Sequence, residues 1–145
     1  MTIPVLRTYD PSQVIVTIGG VIATGFSDGD PIMSRRSEDS YSKRVGIDGD
    51  VARARNANKT GEFEFKFLQT SPTNDLLSGL FATDDLTNEG TAVVPITIID
   101  GSGRSLATAS QCWLQTLPEM SMGKDAGERV WVFCAADLRV YYGGN

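Results

Sequence analysis

Between Gly61 and Gln69 the chain alternates with a period of two: Phe63, Phe65 and Phe67 on one side, Glu62, Glu64 and Lys66 on the other. Only an extended strand puts successive side chains on opposite faces, so this stretch is predicted as a strand with a phenylalanine face in a core and a charged face outside it. The residues just before it cannot do the same. Gly49 to Thr60 carries Arg53, Arg55 and Lys59 among alanines, asparagines and other small or polar residues, with Val51 its one large apolar side chain. One of the best strands in the chain is therefore attached directly to a segment with nothing to bury.

The remaining pattern favours β structure. Val14–Ile18, Gly19-Gly20 and Val21–Phe26 read as a β-hairpin, because paired glycines accept the positive φ of a tight two-residue turn. Val93–Ile99, the tight turn Asp100–Gly103, and Ser105–Leu117 read as a second strand pair. Glu128–Tyr142 reads as a final strand, bulged near Ala135-Ala136. Between Ser71 and Asp85 the spacing changes to helical. Ser71 is a cap, Pro72 suits the first helical position, Asp75 favours the first turn, and Leu76, Leu77, Leu80 and Phe81 share a stripe. With 145 residues the chain is the size of one domain, and 1–145 is expected to be a single, mainly antiparallel β domain with one helix. Ile32–Thr60 is expected to be a long arm whose pieces PIMSRR and YSKRVG pair with each other as a weakly buried ribbon.

The composition argues against several functions. There are no histidines, so the usual general base, the common nucleophile systems and the commonest nitrogen ligand for metals are missing. Asp28/Asp30 and Asp48/Asp50 alternate as calcium-loop aspartates do, but lack a third ligand and a closing glutamate at the required spacing; they are expected to be turn residues. Asn58-Lys59-Thr60 matches a glycosylation acceptor that has meaning only on a secreted chain, and GSGRSLA at Gly101–Ala107 lacks the lysine of a phosphate-binding loop. The expectation is of no enzyme activity, no cofactor and no metal. MTIPVLRTYDP has no long apolar core, so no signal peptide is expected; Val93–Ile99 is too short to span a bilayer, and no membrane partner is expected. Cys112 and Cys134 lie in strand-like segments and are expected to be free, buried thiols.

Charge is unevenly divided. Residues 1–61 carry 8 Lys/Arg against 7 Asp/Glu, whereas residues 62–145 carry 5 against 11. The cations concentrate in the arm as Arg35, Arg36, Lys43, Arg44, Arg53, Arg55 and Lys59. Such a segment suits nucleic acid, but Tyr41 is the one aromatic residue there for stacking, and an acidic body opposes phosphate. A mobile, solvated loop is the plainest alternative. A basic arm on an acidic body also suits another copy of the same chain, and that is the preferred reading.

Three stretches together resemble the tail tube proteins of contractile-tailed bacteriophages: TYDPSQVIVTIGG with VIATGFSDGD, the central block SEDSYSKRVGIDGDVARARNANKTGEFEFKFLQTSPTNDLLSGL, and the closing DLRVYYGGN. The most specific part is G-x-D-G-D-V-A-R-A-R-N-A-N-K-T-G followed by LQTSPTND. The resemblance implies a β-sandwich or barrel-like subunit with a short flanking helix and an extended inter-subunit loop, here residues 27–60. It also implies hexameric rings stacked into the inner tube of a contractile tail, a conduit for DNA ejection. Implied partners are further copies of the chain, the tail sheath, baseplate and tail terminator proteins, and the tape measure protein and DNA transiently in the lumen. The implied location is the virion, after assembly in the host bacterial cytoplasm. On this resemblance the seven cations of the arm make inter-subunit contacts, while Glu62, Glu64 and Lys66 line either the lumen or the outer surface. Tubes of type VI secretion systems and phage-tail-like bacteriocins share the architecture and stand as the alternative, with a small β-barrel nucleic-acid-binding module as the second.

Overall fold

The computed structural model describes residues 2–86, 90 and 92–144. Ten strands and one α-helix are present among them, after a short 3-10 turn at Pro11–Gln13: β1 (Val14–Ile18), β2 (Val21–Ile22), β3 (Ile32–Arg36), β4 (Tyr41–Val45), β5 (Val51–Arg55), β6 (Gly61–Leu68), α1 (Thr73–Leu86), β7 (Val94–Asp100), β8 (Leu106–Thr116), β9 (Glu128–Ala135) and β10 (Arg139–Tyr141). Eight of the strands form one antiparallel sheet in the order β2-β1-β7-β8-β9-β6-β3, with β10 also paired to β8. β4 and β5 pair only with each other.

The phenylalanine strand lies where its alternation puts it. β6 runs between β9 and β3, and Phe63, Phe65 and Phe67 are fully buried. Phe65 meets Phe133 of β9 edge-on at 5.9 Å, and Phe67 stacks on Phe26 at 4.8 Å. Burying each such ring contributes roughly 1.5–3 kcal/mol relative to exposure, which makes this strand the centre of the core. Val16 and Ile18 of β1, Ile96 of β7, Ala107, Ala109 and Cys112 of β8, and Trp131 of β9 belong to the same cluster.

The sheet curls around that cluster because the chain between β2 and β3 crosses from one edge to the other. The Ala23 N–H still donates to Val16 O on β1, at 2.8 Å. Gly25, at φ +76°, then turns the chain, and the segment runs along β6: Leu68 N–H donates to Gly25 O, Ser27 N–H to Lys66 O, and Lys66 N–H to Pro31 O. The strand expected over Val21–Phe26 is accordingly shorter. It ends at Ile22 because Thr24 leaves the ladder and exchanges hydrogen bonds with Thr73 at 3.0 and 3.1 Å, while the Ser71 hydroxyl also donates to the Thr24 carbonyl. The hairpin turn itself is as expected, with Gly19 at φ +60° and Gly20 at φ +84°.

α1 closes the open side of the curl. Ser71 Oγ accepts from Thr73 N–H at 3.2 Å, and the helix begins one residue after Pro72, not on it. Leu77 is fully buried and Leu80 packs on the core, so the predicted stripe faces inward; Trp131 Nε1 pins the first turn by donating to Asn74 Oδ1 at 2.9 Å. At the far end of the chain the single strand expected over Glu128–Tyr142 is two, β9 and β10. Both pair with β8 on one register, which Ala136 N–H continues across the gap between them by donating to Gln111 O. The bulge predicted near Ala135-Ala136 is not there: the register shifts only between Leu114 and Thr116, opposite Phe133 and Val132, and residues 136–137 only bend between the two strands.

The arm is organised differently from expectation. PIMSRR does not pair with YSKRVG: β3 pairs with β6, and YSKRV pairs with VARAR. β3 has a better partner in β6, whose Glu62 lies directly across from Arg35. YSKRV is turned back on VARAR by the tight Gly46–Asp50 tip, in which Gly46 N–H donates to Asp50 O at 2.7 Å.

Candidate assembly surface

Each of the five residues of β4 and of β5 is exposed. A lone two-stranded ribbon is marginal in water, and this one buries no residue of either strand against the body. Its register pairs Tyr41 with Arg55, Ser42 with Ala54, Lys43 with Arg53, Arg44 with Ala52 and Val45 with Val51. Alternation therefore gives two unlike faces. One carries Tyr41, Lys43, Val45, Val51, Arg53 and Arg55; the other carries Ser42, Arg44, Ala52 and Ala54. On the first face Lys43 and Arg53 stand directly opposite each other, a like-charge pair that destabilises an isolated hairpin. The Arg53 guanidinium lies 4.6 Å from the centre of the Tyr41 ring, an attraction that offsets part of that repulsion. A shallow cleft of about 840 Å³ opens beside these side chains.

The root of the ribbon is held by a polar latch. Asn56 N–H donates to Ser40 O at 2.8 Å, and Asn56 Nδ2 donates to Glu38 Oε2 and to Asp39 O. Asn56 Oδ1 accepts from Asn58 N–H, and Asn58 Oδ1 accepts from both the backbone and the hydroxyl of Thr60. The Asn56 amide, and after it Asn58, holds the Glu38 carboxyl below its ordinary range. Leu138 N–H donates to Lys59 O at 2.9 Å, tying the end of the latch to the break between β9 and β10. At Gly61 the ribbon meets the sheet. A Cβ there would run into Leu138 and lie 2.8 Å from Arg35 O, so only glycine fits where β3, β6 and that break converge.

The predicted cations separate into two groups. Lys43, Arg44, Arg53 and Arg55 share the free ribbon, and Lys59 is exposed at its root. Arg35 and Arg36 belong to the sheet: Arg35 Nη2 pairs with Glu62 Oε2 at 3.1 Å, and Arg36 Nε donates to Leu138 O at 3.0 Å. Glu62, Glu64 and Lys66 lie half-buried on the sheet face opposite the phenylalanines, beside Cys134, Val132 and Val130 of β9. Sequence reading passed over Tyr41 as a contact for Arg53 and over the Asn56–Asn58–Thr60 latch. The signal for the latch was present: Asn and Thr at alternate positions readily bond backbone two residues on.

Elsewhere, GSGRSLA forms a hairpin tip, with Asp100 Oδ1 accepting from the Ser102 N–H. Cys112 is buried and Cys134 is only partly so; both are free thiols. Burial pushes the Cys112 thiol up to about 11 and also raises that of Cys134. Among the described residues no three His, Cys, Asp or Glu side chains converge as metal ligands, and no helix is long and apolar enough to cross a membrane.

The family model described as "Bacteriophage PhiTE tail tube protein" matches residues 8–143. A protein of Pseudomonas phage KPP10 named "Structural protein ORF10" is 28% identical over 144 residues, covering 95% of this chain and 83% of that protein. Two solved structures have similar folds. The anti-feeding prophage cap (AFP tube terminating cap) aligns with a TM-score of 0.66 at 10% identity, over 97% of this chain and 95% of that one. A chain of the PVC sheath-tube complex of an extracellular contractile injection system, in its extended state, aligns with a TM-score of 0.64 at 12% identity, over 92% and 91%. At these identities the two structural likenesses speak for the fold alone.

Proposed function

The chain belongs to the bacteriophage PhiTE tail tube protein family, and from that premise we propose that it forms the inner tube of a contractile phage tail by stacking hexameric rings, a passive conduit for DNA ejection. The observation that carries this reading is the β4–β5 ribbon, exposed along its whole length and repelling itself across Lys43 and Arg53. A surface of that kind is stable only against something else, and the rest of the domain supplies a directional frame for it. The ribbon departs from the Gly61 end of β6, whereas α1 follows the Leu68 end. A contact from one end of a copy to the other end of the next is heterologous; repeated without closure it makes a filament, and closed by rotation it makes a ring. The working residues are Lys43, Arg44, Arg53, Arg55 and Lys59 as inter-subunit contacts, with Arg35 and Arg36 setting the sheet edge beside the ribbon's root.

Function on this reading is mechanical and involves no covalent chemistry. The expected partners are sister copies, the tail sheath, baseplate and tail terminator proteins, and the tape measure protein and DNA passing through the lumen. The working place is the virion tail, assembled in the host bacterial cytoplasm. Glu62, Glu64 and Lys66 are assigned to the lumen wall, where carboxylates keep phosphate from adhering. The KPP10 relative favours a phage tail over the tube of a secretion system or bacteriocin. The test is negative-stain microscopy of the purified chain beside a variant with 41–55 replaced by a short Gly-Ser turn. Rings or tubes from the full chain and lone particles from the variant support the proposal, and tubes from both overturn it.

A further inference from the structure

The acceptor for the ribbon is open to argument from charge. From Phe67 to Gly103 the sequence has five Asp/Glu and no Lys or Arg, and α1 is the element at the heart of that stretch. On α1, Asp75 and Asp85 are exposed, and the exposed residues between them are Ser78, Gly79, Ala82 and Thr83, all small. The two carboxylates are ten residues apart, about 15 Å along the helix axis. Nothing bulky stands between them; a Cβ built on Gly79 meets no atom within 4 Å. Two carboxylates beside strands are already engaged with cations, Glu62 with Arg35 and Asp137 with Arg139, whereas no ion pair among the described residues engages Asp75 or Asp85. Neither of these two ion pairs, the only ones among the described residues, involves Lys43, Arg53 or Arg55.

We infer that the basic face of the β4–β5 ribbon, formed by Tyr41, Lys43, Arg53 and Arg55, docks on the exposed face of α1 of a second copy, with Asp75 and Asp85 as the carboxylates it reads. This rests on the assembly role proposed for the ribbon and names its acceptor. Carboxylates brought against the opposed Lys43 and Arg53 turn the ribbon's internal repulsion into attraction across the contact. The small residues of the helix let the long cationic side chains lie flat between the two aspartates. Partly exposed ion pairs of this kind are screened within about 8 Å at physiological ionic strength, so the contact weakens as salt rises.

The test is a charge exchange. Arg53→Glu with Arg55→Glu is expected to abolish polymerisation, and adding Asp75→Lys with Asp85→Lys in the same chain is expected to restore it. Circular dichroism confirms that each variant is folded. A second readout covers the case where the fourfold variant fails to fold: Arg55→Cys combined with Ala82→Cys, oxidised in assembled material, is expected to give a covalent ladder of copies. No ladder and no rescue, in tubes that still require the ribbon, would place the acceptor elsewhere; the assembly proposal would survive and this inference would not. Binding of a 20-base-pair DNA duplex that Arg53→Glu with Arg55→Glu removes, while assembly persists, would overturn it in favour of nucleic acid as the ribbon's partner.

Discussion

β6 and the β4–β5 ribbon are neighbours in sequence and opposites in physics. Both are regular antiparallel strands. β6 holds three phenylalanines at zero exposure between two partner strands, so its order is supplied within one chain. The ribbon has complete cross-strand register and an internal latch, yet every residue of its strands is exposed and its cations face one another. Hydrogen-bonded regularity therefore does not measure independent stability. Burial does, and the ribbon has none to draw on until another surface arrives.

Substitutions should separate the two regions. Phe65→Ala removes the ring at the centre of the core and is expected to cost the single chain about 3–5 kcal/mol, read as a large fall in the denaturant midpoint. Gly61→Ala, at the junction, forces a Cβ against Leu138 and the Arg35 carbonyl; a loss of roughly 1–3 kcal/mol is expected, in a chain that still folds. Asn58→Ala unmakes the latch and is expected to cost about 1 kcal/mol or less globally, while raising amide exchange across residues 37–58. Arg53→Glu with Arg55→Glu is expected to leave the midpoint of the monomer within about 0.5 kcal/mol while removing assembly; a comparable loss of monomer stability would mean the ribbon is part of the core's cooperative unit.

Chemistry sharpens the same contrast inside the sheet. Cys112 has its thiol raised by burial, so folding favours the protonated form. That contribution is fully present below the thiol's ordinary range and is lost as pH rises through about 11. At neutral pH, Cys112 is expected to resist alkylation until the chain unfolds, and rapid labelling of the native protein would show that the core opens. Glu38 has the opposite sign. Its carboxyl is held low by the Asn56 and Asn58 side chains, so its small contribution is present above the ordinary carboxylate range and is lost on acidification below it. Its Glu38→Gln variant should remove that pH dependence with little other effect.

Much of the body was legible in the sequence because burial leaves periodic traces. The alternation of Phe63, Phe65 and Phe67 located the central strand, and Gly19-Gly20 located the hairpin turn. The Leu77 and Leu80 spacing located the inward side of the helix. The errors arose where long-range partners decide. Nothing local in Ile32–Arg36 says that it pairs with β6, since that choice depends on Glu62 lying across from Arg35. The shortening of β2 depends on the Thr24–Thr73 exchange across the fold. Of the candidate surface, the cations were visible and their division was not, because Arg35 and Arg36 are distinguished from Arg53 and Arg55 only by what they meet in three dimensions.

The central claim is that the ribbon acquires its stability from other copies. Amide hydrogen exchange resolved by residue, on dissociated chain and on assembled tubes, tests it most directly. The account predicts β6 protected in both states and residues 41–55 exchanging freely in the single chain but slowly in the tube. Equal, strong protection of 41–55 in the isolated chain would contradict it.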